Sequence, residues 1–267
     1  MKTREMPLLA PFIIALAAVA AVFELQKLIG TAMFPVFDGG KTSDWSNTTY
    51  MLMDIAMIIL FVPTYILLFR PKRGSEKIKI KDTGVAGLLC AAAGAVITSV
   101  AIGLAIKLAA INGAFPVFDN VEIILKDGSL LLSVLSIVIC APLMEELVFR
   151  GLVFKSFRQI SGFWLSALLS SAVWAVIHLN LVQGIRAMGV GLFLAFVYEA
   201  YDKLWVPVAA HMSINAVATA FDYSGILRGL HIEGYWYLIM IVLLLAALYP
   251  ICRYIKRTGY RRRGEEL

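Results

Sequence analysis

The sequence predicts an all-α fold: a polytopic membrane helix bundle of about eight transmembrane helices with both termini cytoplasmic. Three observations predict it. Of 267 residues, 60% are hydrophobic and only 16% charged, with a mean hydropathy of +0.83, more apolar material than a water-soluble core absorbs. The apolar residues are gathered in runs of about 20, the length that crosses a bilayer. Lys and Arg sit in short blocks between those runs and mostly on alternate sides, as the orientation rule for membrane helices requires.

Taken in order, spanning helices are expected at 7–29, 50–69, 84–111, 129–158, 162–181, 187–201, 204–222 and 235–255, the sixth being short for a full span. The first, from Pro7, lacks a small-residue cleavage site and reads as a retained helix rather than a signal peptide. A Gly/Ser/Asp/Asn-rich loop (Asp38 to Asn47), a basic loop (Arg70 to Lys81), a mildly acidic loop (Asn112 to Ser129) and a polar stretch (Tyr223 to Gly234) separate them. Lys2, Arg4, the six cations of Arg70 to Lys81, Lys155, Arg158, Lys203 and the six from Arg253 to Arg263 share one side. The other side has only Lys41, Lys126, Arg186 and Arg228, so the richer side is cytoplasmic and the number of spans even. The whole chain, 1–267, reads as one integral membrane domain, with the chemistry concentrated in 129–222 and the N-terminal helices in 1–128.

Phe34-Pro35-Val36-Phe37-Asp38 recurs as Phe115-Pro116-Val117-Phe118-Asp119. Either a helix-loop unit is duplicated, or aromatic and Pro residues mark the interface at two span ends. Cys90, Cys140 and Cys252 show no paired spacing and suggest neither a disulfide framework nor a Cys-type zinc site. The net charge of +6 belongs to the orienting blocks, so no nucleic-acid partner is expected. Membrane lipid is the expected surrounding.

Ionisable groups within a span cost about 3 kcal/mol each at its centre and call for a reason. They concentrate in three places. In Ala141-Pro142-Leu143-Met144-Glu145-Glu146-Leu147-Val148-Phe149-Arg150, Glu146 and Arg150 are four apart and pair on one helical face. Glu145, turned about 100° from its neighbour, is left for another task. The second place is Trp174 to His178, late in the fifth helix. The third is His211 to Asn215, where the imidazole and the amide share a face. The remaining histidine, His231, falls in an outer loop without such a pattern.

A hairpin about Ser161-Gly162 sets Glu145, sixteen residues before Ser161, and His178, sixteen after Gly162, at similar depth, roughly 24 Å from the turn. A carboxylate beside a neutral imidazole holds a water and removes its proton. His211 and Asn215 donate hydrogen bonds to an oxygen that becomes negative as a carbonyl turns tetrahedral.

Glu145-Glu146-x-x-x-Arg150, then Trp174-x-x-x-His178, then His211-x-x-x-Asn215 resembles, in order, the three motifs of the CPBP family of intramembrane proteases, which includes CAAX prenyl endopeptidases and bacteriocin-processing and immunity proteins. The resemblance covers roughly 140–222; Gly189 to Asn215 looks like the bacterial branch, so a bacterial plasma membrane is the expected location. It implies that Glu145 and His178 activate water, that His211 and Asn215 stabilise the oxyanion, and that Glu146 and Arg150 support the site. Trp174 stands where phenylalanine is common in the family, and an aromatic wall is kept. The implied substrate is a membrane-associated peptide or protein, including a lipidated, prenylated tail. No cofactor beyond activated water is expected. If zinc were bound, Glu145, His178 and His211 would be its ligands, but no His-Glu-x-x-His demands one. The alternative reading is a non-catalytic membrane scaffold, or a bacteriocin-immunity or regulatory partner of the same family. A transporter or proton relay leaves the His-x-x-x-Asn pair unexplained.

Overall fold

Long apolar runs have one low-energy answer in lipid, the helix, because it pairs each backbone donor and acceptor within its own segment. A computed structural model of the chain describes residues 7, 9–37, 47–69, 83–111, 129–225 and 234–259. Among the described residues there is no strand and there are eight helices: α1 Ala10–Phe37, α2 Asn47–Phe69, α3 Gly84–Ile111, α4 Leu130–Phe157, α5 Phe163–Ile177, α6 Leu181–Tyr201, α7 Trp205–Ser224 and α8 Gly234–Thr258. Helices α2, α3, α4, α6 and α8 are long and apolar enough to cross a membrane, while α1 and α5 hold shorter apolar runs, Ala10–Leu25 and Phe163–Ile177. The polar residues His211, Ser213, Asn215, Thr219 and Asp222 interrupt the apolar sequence of α7.

Three boundaries differ by four residues or more from the sequence expectation, the first being the end of α1, at Phe37 and not at 29. The fifth helix ends at Ile177 and not at 181, because Leu179 adopts a left-handed backbone (φ 50°) that no helix continues. The sixth begins at Leu181 and not at 187, since Asn180 caps it by accepting a hydrogen bond from the Gln183 amide at 3.1 Å. It has 21 residues and is long enough to span. Phe34 to Phe37 form the last turn of α1 and do not follow it. The second copy of that motif at 115–119, the loops 38–46, 70–81 and 112–128, and His231 lie outside the described residues. The three cysteines are free thiols.

The chain divides into two compact units. In the first, Met1–Lys79 with Ile124–Val173, α4 packs on α1 and α2. The face of α2 that carries Met53, Met57 and Phe61 at intervals of four is buried, and Asn47 donates to the Ser133 hydroxyl of α4 at 2.9 Å. The turn from α4 to α5 is held locally: Arg158 Nη1 donates to the Ser161 carbonyl at 2.7 Å, and Ser161 Oγ lies 2.7 Å from Ser166 Oγ. In the second unit, Ile80–Ile123 with Trp174–Leu267, α3 packs against α6, α7 and α8. Gly94 of α3 permits that approach, because a methyl group there would run into the Phe193 ring of α6 and lie 3.1 Å from Ile251 of α8. Leu238, Val242, Leu245 and Tyr249 of α8 form an exposed apolar stripe, which suits lipid rather than water.

Candidate active site

In α4 the carboxylates stand on an α-helical turn, Ala141–Glu146, flanked by wider π-helical turns over Val134–Cys140 and Leu147–Phe154. Such turns shift the register of side chains and recur at functional sites. The adjacent glutamates are treated oppositely. Glu146 and Arg150 are 0% and 1% exposed and form an ion pair, Nη1 to Oε1, at 2.8 Å. Glu145, one residue earlier, is only half-buried. A buried ion pair is kept in place by the cost of leaving either charge alone; a half-buried carboxylate has a face left to present.

His178 stands one residue beyond the end of α5, not within it as the sequence suggested. Its ring is nevertheless tied to the helix, with Nδ1 2.9 Å from the Trp174 carbonyl oxygen. The bond adds a side-chain donor to a carbonyl in the last turn of the helix. A carbonyl only accepts, so Nδ1 carries a proton, and in the neutral ring the lone pair is then on Nε2. That is the tautomer a proton acceptor needs. The neighbouring Leu179, in its left-handed conformation, carries strain on the order of 1 kcal/mol next to this imidazole.

Trp174, 4% exposed, fixes a second imidazole as well. Its ring meets His178 edge to face at 5.6 Å and His211 at 5.2 Å, so one indole lies against both. His211, on α7, is buried, while Asn215, one turn further on the same face, is half-buried. The first unit thus gathers Glu145, Glu146 and Arg150, and the second gathers Trp174, His178, His211 and Asn215.

One residue escaped the sequence reading, which placed the intramembrane charges in three segments. Asp54 of α2 is 5% exposed and lies within electrostatic range of Glu145 and of Cys140. The signal was available, for an acid in an apolar span is costly wherever it occurs. It carries no motif, and so it did not stand out. Among the described residues no three His, Cys, Asp or Glu side chains are grouped closely enough to hold a metal ion. No step below passes through a metal.

Comparison with known proteins bears on the same segment. Residues 127–217 match the family model described as type II CAAX prenyl endopeptidase Rce1-like. A Bacillus subtilis protein named "Putative membrane peptidase YdiL" is 30% identical over 77 residues, 29% of this chain and 32% of that protein. An Escherichia coli protein named "Uncharacterized 24.3 kDa protein" is 25% identical over 183 residues, 66% of this chain and 82% of its own length. The chain therefore spans about a third of the first relative's length and most of the second's. No solved structure matches. Both relatives are bacterial, and the apolar helices of this chain are those of an integral membrane protein. All three motifs, from Glu145 to Asn215, fall inside the matched segment, and over that segment the chain is similar to this peptidase family.

Proposed function

We propose that the chain is an intramembrane endopeptidase that hydrolyses a peptide bond in a membrane-associated or lipidated peptide, using activated water and no metal. In this mechanism a water attacks the carbonyl carbon while Glu145, helped by the lone pair on His178 Nε2, takes its proton. The carbonyl oxygen becomes an oxyanion and receives hydrogen bonds from His211 and the Asn215 amide. The C–N bond then breaks, the proton passes from Glu145 to the leaving nitrogen, and an acid and an amine depart. Glu146 and Arg150 hold the helix that presents Glu145, and membrane lipid delivers the substrate.

The observation that carries the reading is the divergence of two adjacent glutamates: Glu146 is sealed against Arg150, and Glu145 is half-buried and next to it in sequence. The tautomer imposed on His178 by the Trp174 carbonyl supports the same roles. Comparison of membrane peptides released by cells carrying the intact protein and the Glu145→Gln or His178→Ala variant tests it. Loss of release in both variants is expected, and retained release in both removes the mechanism. Chelator treatment of active purified protein tests the metal-free part: activity is expected to persist, whereas stoichiometric zinc whose removal abolishes cleavage overturns it.

A further inference from the structure

Helical threonines in this chain follow a habit, although the buried serine hydroxyls of Ser156 and Ser171 make no hydrogen bond. Of the five threonines that lie beyond the first turn of a described helix, four donate to the carbonyl four residues back. These are Thr31 to Lys27 at 2.7 Å, Thr64 to Leu60 at 3.0 Å, Thr98 to Gly94 at 2.7 Å and Thr258 to Tyr254 at 2.9 Å. Ser213 of α7 does the same with Ala209 at 2.9 Å. Such back-bonding is the default for a hydroxyl that has nothing better in an apolar environment. Thr219 is the fifth. It is 3% exposed, yet its hydroxyl makes no hydrogen bond to its own backbone or to any other group among the described residues. Burying a hydroxyl without a partner costs about 1–3 kcal/mol, and here the hydroxyl does not take the usual remedy, a bond to the carbonyl one turn back.

Its place on the helix gives the reason. Thr219 follows His211 and Asn215 at the next interval of four, so the three side chains fall within about 80° of arc on one face of α7. Four residues of helix advance about 6 Å. Two residues of an extended peptide advance about 6.6 Å, and two residues is the interval at which carbonyls on one edge repeat. The step from Asn215 to Thr219 thus has the pitch of one edge of an extended chain.

We propose that the Thr219 hydroxyl is a substrate-positioning donor, which hydrogen-bonds the main-chain carbonyl of an extended peptide two residues from the bond held at His211 and Asn215. This rests on the endopeptidase reading and adds to it a subsite that reads backbone and not side chain. The site would therefore favour substrates with an extended, unhelical segment at least two residues long beside the scissile bond.

The test uses the full-length protein in lipid nanodiscs and an internally quenched apolar transmembrane peptide that the intact protein cleaves. Thr219→Val keeps the shape and removes the hydroxyl. KM should rise about three- to tenfold with kcat within twofold, the mark of a binding contact made equally in ground and transition states. Thr219→Ser should restore KM. Replacing the peptide amide two residues from the scissile bond with an ester, whose carbonyl is a weaker acceptor, should raise KM for the intact protein and leave the Val variant unmoved. An unchanged KM in Thr219→Val, or equal losses in the Val and Ser variants, overturns the subsite. Glu145→Gln in the same assay separates the two levels. If it is inactive while Thr219→Val is normal, only the subsite falls; if it stays active, the proposed hydrolysis falls and the subsite with it.

Discussion

The two motif-bearing regions solve the same problem, polar groups in an apolar surrounding, by opposite means. Around Ala141–Arg150 charge is answered with charge: Glu146 and Arg150 neutralise each other in full burial, on a helix widened before and after by π-turns. Around Trp174–Asn215 there is no ion pair in the arrangement described, and the two imidazoles are held by one indole and one backbone carbonyl. The first arrangement is strong and brittle, because removing either partner strands a buried ion. The second is mild and adaptable, a set of ring contacts worth about 0.5–1.5 kcal/mol each. It follows that damage to the first region should be read mainly in folding and damage to the second mainly in catalysis, with Glu145 as the exception.

That exception gives the largest expected effect. Under the proposed mechanism Glu145→Gln lowers kcat about a thousandfold while the thermal unfolding midpoint stays near that of the intact protein, because its half-buried carboxylate is replaced by an amide of the same shape. Arg150→Ala should do the reverse, costing about 3–5 kcal/mol of stability through the uncompensated charge on Glu146. Unfolding in detergent, followed by circular dichroism, measures both. The comparison sharpens with Glu146→Leu combined with Arg150→Met, which removes both charges together. That double variant should recover most of the loss; if it is as unstable as Arg150→Ala, the pair is not simply mutual neutralisation.

In the second region, Asn215→Ala should lower kcat about a hundredfold or more, the usual loss of one oxyanion donor, with an unfolding midpoint little altered. A fall in midpoint with unchanged kcat would assign Asn215 to helix contacts instead. This is where the contrast between the regions is easiest to break, since Asn215 is half-buried and polar side chains also join helices in membranes.

How much of this was legible in the sequence depends on the kind of signal. Helix number followed from apolar length alone, and the Glu146–Arg150 pair followed from a spacing of four that survives in the structure. The ends of α5 and α6 were missed because Ala175-Val176-Ile177-His178-Leu179 is apolar enough to read as continuous helix, and a positive φ at a leucine has no compositional mark. Asn180 with Gln183 three residues on was the available sign, an N-cap ahead of an apolar run. The π-turns of α4 leave no trace in hydropathy. Asp54 was visible but unassigned, because its meaning comes from the packing of α2 on α4, which spacing along a single chain does not reveal.

The smallest effect expected concerns Trp174, where the family commonly has phenylalanine. The indole serves as a wall for two imbalanced neighbours: His178 is already held by its bond to the Trp174 carbonyl, which any residue at 174 supplies, whereas His211 has the ring contact at 5.2 Å. Trp174→Phe keeps an aromatic edge but shortens it. It should cost about 1–2 kcal/mol of stability from the lost volume and reduce kcat by about threefold or less, all of it through His211. Both imidazoles lose an indole neighbour, so ring-proton shifts change at both; the position of His178 is read instead from its Nδ1 proton, which should keep its hydrogen bond to the carbonyl of residue 174. Loss of that bond in the variant would mean that the indole, and not the helix-end carbonyl, sets the position of His178.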